Sequence, residues 1–252
     1  MSFRIIVSPA KKMNVDGGPP CARGVPPLLE RTRVLKDTMQ ALSFDEVQAL
    51  WRCSKKLADL NYERFRDMDL DRDVSAAIVS YEGIQYQHLA AGIMNDACLR
   101  WLDEHLRILS GFYGVLRPFD GVVPYRLEMQ ARLQVGEARD LYAFWGSSLF
   151  EALVAEGCDC VVNLASVEYA KAVVPHARRA GLPVVTCLFG TIRQTDGKLL
   201  QRSTEAKAAR GTFVRWCAET GIEDLTDARG FSERGYRLDE ERTNADTLVF
   251  VR

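Results

Sequence analysis

Residues 106–129 read LRILSGFYGVLRPFDGVVPYRLEM, and the reading of this stretch decides the fold. It holds Arg107, Arg117 and Arg126, two closely spaced glycines and Glu128, set among residues too apolar for a surface loop. Arg107–Leu109 either ends a helix or forms a short strand that enters the glycine turn, and we read a strand. A guanidinium among Val, Leu, Ile and Phe needs an anion, because burying it unpaired is costly. The partner is Glu128 or Asp120 within the chain, or a phosphate from outside.

On the N-terminal side, FRIIV (3–7) is an apolar run ending at Ser8-Pro9, a buried first strand. Residues 14–27 are rich in Gly and Pro and read as a loop. From Leu28 to Phe65 apolar residues recur at helical spacing, with Ser43 and Glu46 as a capping box for a second helix. Ala76–Tyr81 reads as a strand, and a helix from Asn95 carries Cys98, Trp101, Leu102 and His105 on one face. Downstream, Leu141–Glu156 reads as a helix closed by Gly157. Cys160–Leu164 reads as a buried strand, with Ser166 capping a helix that runs to about Val173. Pro183–Thr191 and Lys198–Gln201 form a hairpin around Asp196-Gly197. A helix covers about Thr204–Thr220, and short strands near Tyr236 and at Thr247–Val251 finish the chain. Strands and helices mix without strict alternation. The expected fold is α+β or mixed α/β: one domain over residues 1–252, with a mixed central sheet flanked by helices.

The 252 residues carry a net charge of −1, with 47% apolar and 27% charged residues. That balance argues against nonspecific coating of nucleic acid and leaves room for a local basic groove. No apolar run approaches the roughly 18 residues of a membrane span, and the N-terminus lacks a secretory signal. Seven cysteines and three histidines are scattered, with no metal-ligand spacing. The expectation is a cytoplasmic monomer with reduced thiols, no metal and no cofactor.

Several segments can carry chemistry. Ser8, Lys11 and Lys12 follow a buried strand and either hold a phosphate or form a solvated turn. Gly111 and Gly114 either bring backbone N–H groups to a phosphate or form a turn with Phe112 and Tyr113 packed inward. Arg117, Asp120, Arg126 and Glu128 suggest a polar network, and alternation puts Arg126 and Glu128 on one face of an extended segment. Such a pair is a structural ion pair or a substrate clamp. Asn163, Ser166, Glu168 and Tyr169 follow a strand and open a helix, a natural anion-binding or catalytic position. Ser166 has no nearby histidine in sequence, which argues against a hydrolase triad. Lys207 and Arg210 form a basic stripe or an ordinary solvated face.

Together, SPAKK (8–12), Leu109–Asp120, PYRLEM (124–129), Asp140–Gly146, NLASVEY (163–169), Lys207–Gly211 and Gly230–Tyr236 resemble the YaaA family of bacterial peroxide-stress proteins nearly end to end. The resemblance implies a distinctive mixed α/β fold with a positively charged cleft. It also implies an association with DNA binding and with limiting damage by hydrogen peroxide and iron, and a helix-hairpin-helix-like element near Gly111–Gly114. The chain departs from the family pattern at Glu82, His88, Glu205 and Ala208, losing cationic and aromatic character where phosphate contacts count.

Two functions follow. The first is a DNA-binding stress protein of little sequence preference, with Ser8, Lys11, Lys12, Arg107, Gly111, Gly114, Arg117, Arg126, Lys207 and Arg210 on the phosphates. The second is an enzyme acting on a nucleobase, nucleoside or other small anionic, nucleotide-like ligand, with Glu128, Asn163, Ser166, Glu168 and Tyr169 as catalytic candidates. The departures favour the second, and the family resemblance favours the first.

Overall fold

The computed structural model describes residues 2–14 and 18–252. Strand β1 (Phe3–Val7) is buried along its whole length, as the apolar run predicts. A two-residue strand β2 (Lys12–Met13) follows, then helices α1 (Leu29–Gln40), α2 (Phe44–Trp51) and α3 (Lys55–Arg66). The capping box opens α2: Glu46 N donates to Ser43 Oγ, and Ser43 N donates to the Glu46 carboxylate at 2.8 Å.

The Ala76–Tyr81 strand is corrected. The segment divides into β3 (Ser75–Ala76), a helical turn α4 (Ala77–Ser80) and β4 (Tyr81–Glu82). β3 pairs with β7 (Gly121–Val122), whereas β4 pairs with β2, so the chain must turn between two partners. Ser80 Oγ bonds the Ala76 carbonyl four residues back, which closes the turn.

Helix α5 (Ile84–Leu89) precedes α6 (Asp96–His105), which Asn95 caps through Cys98 N. The expected face of Cys98, Trp101, Leu102 and His105 is buried. β5 (Leu106–Ser110) confirms the strand reading, and an antiparallel β6 (Gly114–Leu116) returns beside it. The helix expected over 141–156 is two helices, α7 (Leu141–Trp145) and α8 (Ser148–Ala155). Gly146 separates them at φ 51°, ψ −127°, a conformation open to glycine. Then come β8 (Cys160–Asn163), α9 (Val167–Ala170), α10 (Val174–Arg179), β9 (Val184–Ile192) and β10 (Leu199–Leu200). The long α11 (Ser203–Thr220), β11 (Arg237–Leu238) and β12 (Thr247–Val251) complete the chain.

The main sheet has eight strands in the order β11-β12-β9-β8-β1-β5-β6, with β10 paired to β9. β12, β9, β8, β1 and β5 are parallel, and β11, β10 and β6 add antiparallel pairs. This is the expected mixed α/β sheet. β1, β5 and β8 are buried at every residue, as parallel strands covered on both faces should be. α6 packs on β1 and β5, α11 on β9, α6 and α5, and α10 on β8 and β9.

Candidate functional site

From β1 the chain reaches β5 on one side, while β8 leads to β9 and β12 on the other. β1 and β8 are neighbours, paired at Ile6 and Asn163. The crevice beyond their carboxyl ends is therefore a topological switch point, where open α/β sheets hold ligands. Ser8 and Ser166 stand at those two ends. A cleft of about 580 Å³ opens there.

The cleft gathers ten of the candidate residues. Ser8, Lys11 and Lys12 come from the end of β1; Arg126 and Glu128 come from the extended stretch after β7. Ser166, Glu168 and Tyr169 come from the start of α9, and Lys207 and Arg210 from α11. Ser166 does not cap α9 with its own side chain; instead Ser8 Oγ accepts its N–H at 2.8 Å.

Three ion pairs organise the mouth. Glu128 takes Lys11 at 3.0 Å and Arg126 at 3.0 Å, so the proposed partner of Arg126 lies inside the protein. Lys12 holds Glu82 at 2.8 Å, which gives the Glu82 departure a place in the site. Glu168 accepts Gln130 N at 3.2 Å. Burial raises the Glu168 carboxyl, nearby Glu128 adds to the shift and Lys11 opposes it.

Tyrosines form the floor. Burial pushes Tyr125 up to about 12, and its hydroxyl lies between Ser110 Oγ (2.6 Å) and Tyr81 (2.8 Å). Tyr86 donates to the Ser8 carbonyl at 2.9 Å. Burial also raises Tyr86 and Tyr169 well above the usual phenol range, so these phenols stay neutral. Sequence reasoning missed Tyr86, Tyr125, Gln85 and Ser203 as site residues. Gly211 carried the signal: a Cβ there would lie 2.0 Å from the Gln85 carbonyl, so glycine seats α5 directly on α11.

Other candidates lie elsewhere. Arg107 and Arg117 meet at Glu156 (2.5 and 2.7 Å), near the amino ends of β1 and β8. They line a separate cavity of about 330 Å³ with Arg23, Arg100 and Asp120. Burial alone would raise Glu156, yet its two arginines hold it below the usual carboxylate range. The four-residue network around Pro118 and Pro124 is thus two clusters. Asn163 bonds Ala165 N and Thr186 and does not line the cleft.

Gly111 and Gly114 sit in a buried strand-turn-strand, which corrects the expected helix-hairpin-helix-like element. The N–H groups of Phe112 and Tyr113 are taken by Ser110 Oγ, leaving neither for a phosphate. A Cβ at Gly111 would lie 2.5 Å from the Leu127 carbonyl, so glycine here admits the crossing of 127–129.

A third cavity of about 650 Å³ shares Lys11, Arg126 and Glu128 with the cleft and continues past Arg52 and Arg132. No helix among the described residues is long and apolar enough to cross a membrane.

The fold and site define a mixed α/β protein with a lysine-, arginine- and glutamate-lined cleft at the sheet's switch point. Residues 3–242 match the family described as peroxide stress protein YaaA, and the chain belongs to that family. It is 45% identical over 251 residues to a UPF0246 protein of Lactiplantibacillus plantarum, covering 99% of each chain. A UPF0246 protein of Desulfitobacterium hafniense (strain Y51) is 43% identical over 250 residues, 99% of this chain and 98% of the relative.

Proposed function

We propose that this protein binds the sugar–phosphate backbone of DNA in the β1–β8 cleft, as a cytoplasmic monomer serving the peroxide stress response. One observation carries the reading. Cationic side chains from three distant segments, Lys11 and Lys12, Arg126, and Lys207 and Arg210, converge on one open cleft, and Arg52 and Arg132 extend its path. Lysine and arginine exchange a carboxylate for a phosphate oxygen with similar charge-assisted bonds, and such contacts give affinity without reading sequence.

The test is anisotropy of a labelled duplex and a labelled single strand over a salt series. Binding that weakens with salt and falls in Lys11→Ala and Arg126→Ala is the expected result. A protein that ignores both strands at low salt overturns the reading.

A second reading rests on Glu168. Its raised carboxyl beside Tyr169, in a cleft that also holds Glu128, suits a general acid acting on a nucleoside or other small anionic substrate. Turnover in a nucleoside and nucleotide screen, abolished by Glu168→Gln, would establish it.

A further inference from the structure

Positive charge in the cleft is unevenly neutralised. Lys11 and Arg126 share Glu128, and Lys12 has Glu82. Lys207 and Arg210, three residues apart on α11, have no ion pair among the described residues. Arg210 is the telling member. It is partly buried, burial pulls its guanidinium below the ordinary value, and its Nε is buried with no partner among the described residues. A buried guanidinium nitrogen with no acceptor beside it is costly, and an anion seated there would satisfy it.

The same wall carries a second unmet group. Gln85 is only 6% exposed, lines the cleft, and its Nε2 has no hydrogen-bond partner. Gly211 fixes it there by letting α5 rest on α11. Ser203 opens the 18-residue α11 on this wall with no side-chain cap. The N–H groups of that first turn lack intrahelical acceptors, as at any helix start, and the helix dipole favours an anion there.

The geometry points to a phosphomonoester pocket at the α11 end of the cleft, in which Lys207 and Arg210, with Ser203 and Gln85, hold a terminal phosphate. A backbone diester carries one charge, whereas a monoester carries about −1.5 to −2 and three acceptor oxygens. Two unpaired cations match the monoester. The phosphate comes from the end of a nucleic-acid strand or from a free mononucleotide. This inference rests on the proposed ligand class of the cleft, and it changes what DNA binding should look like. Affinity depends on the chemistry of the strand's end as well as on backbone contacts, and a seated terminal phosphate adds its own share to the salt slope, about −0.7 per phosphate for a single strand.

The experiment uses internally labelled single strands ending in 5′-phosphate, 3′-phosphate or hydroxyls only, with unlabelled nucleoside 5′-monophosphate and nucleoside as competitors. Lys207→Ala and Arg210→Gln are compared with the parent chain. Lys207 is exposed, so its variant tests the pocket without disturbing the core. One phosphorylated end should bind at least about tenfold tighter than the hydroxyl strand. Lys207→Ala should erase the preference, and the monophosphate, not the nucleoside, should compete. Equal binding of all strands overturns the pocket and leaves the backbone reading standing. Lys207-dependent binding of the monophosphate by a protein that ignores every strand upholds the pocket and overturns the backbone reading. Binding of neither strands nor monophosphate overturns both.

Discussion

Ser8 Oγ accepts the backbone N–H of Ser166 at 2.8 Å across 158 residues of sequence. The bond joins the carboxyl ends of β1 and β8 at the cleft. The two hydroxyls also lie 3.2 Å apart, with Ser8 donating to Ser166.

Because the shorter bond ends on the Ser166 backbone, Ser8→Ala should cost about 1 kcal/mol in urea unfolding. Ser166→Ala keeps the backbone donor and should cost less. A reversed order would show that the hydroxyl pair, rather than the backbone tie, joins the strands.

Glu128 occupies the space between Lys11 and Arg126 that a phosphate would take. Glu128→Gln removes the competing charge and should tighten binding of a DNA strand several-fold at low salt, with the gain fading as salt rises. Weaker binding in anisotropy titrations would show instead that Glu128 is needed to aim Arg126.

Gly211→Ala places a methyl 2.0 Å from the Gln85 carbonyl, where backbone cannot yield cheaply. It should cost about 1–3 kcal/mol or more by overpacking and weaken binding by moving α5 away from α11. Gly230→Ala, with nothing within 4 Å of the added carbon, is the matched control and should leave both the thermal midpoint and the affinity nearly unchanged.

Asp120 is buried, its carboxylate accepts Arg117 N at 2.8 Å through Oδ2, and Oδ1 has no partner among the described residues. Burial raises its carboxyl to about 7, against opposing Arg117 and Arg107. A raised acid binds its proton more tightly folded than unfolded. Its contribution is therefore greatest below the unfolded value of about 4 and is lost as pH climbs to about 7, at up to about 1.4 kcal/mol per pH unit. Asp120→Asn should flatten that decline and raise the thermal midpoint at pH 7 relative to pH 4. An unchanged pH profile would show that Asp120 titrates normally.

The parts of this fold written in local pattern were legible. FRIIV and CVVNL announce buried parallel strands because both faces are covered, and Ser43 with Glu46 marks a helix start because their bonds close within one turn. What failed depends on distant partners. Ala76–Tyr81 is apolar enough for one strand, but β7 and β2 pull its ends to different sheets. Arg107 and Arg117 looked like ligand contacts because Glu156, 49 and 39 residues away, is invisible to spacing. The cleft's charged residues were found because Lys, Arg and Glu in apolar surroundings stand out. Tyr86 and Tyr125 were overlooked because an aromatic floor reads as ordinary core.

The switch-point position has a consequence for synthesis. One lip of the cleft is complete when Glu128 has emerged from the ribosome, but the opposite lip waits for Ser166, and the α11 cations come last, near residue 210. The nascent chain therefore spends most of its translation with the cleft unassembled, and a product truncated before α11 would lack both of the unpaired cations.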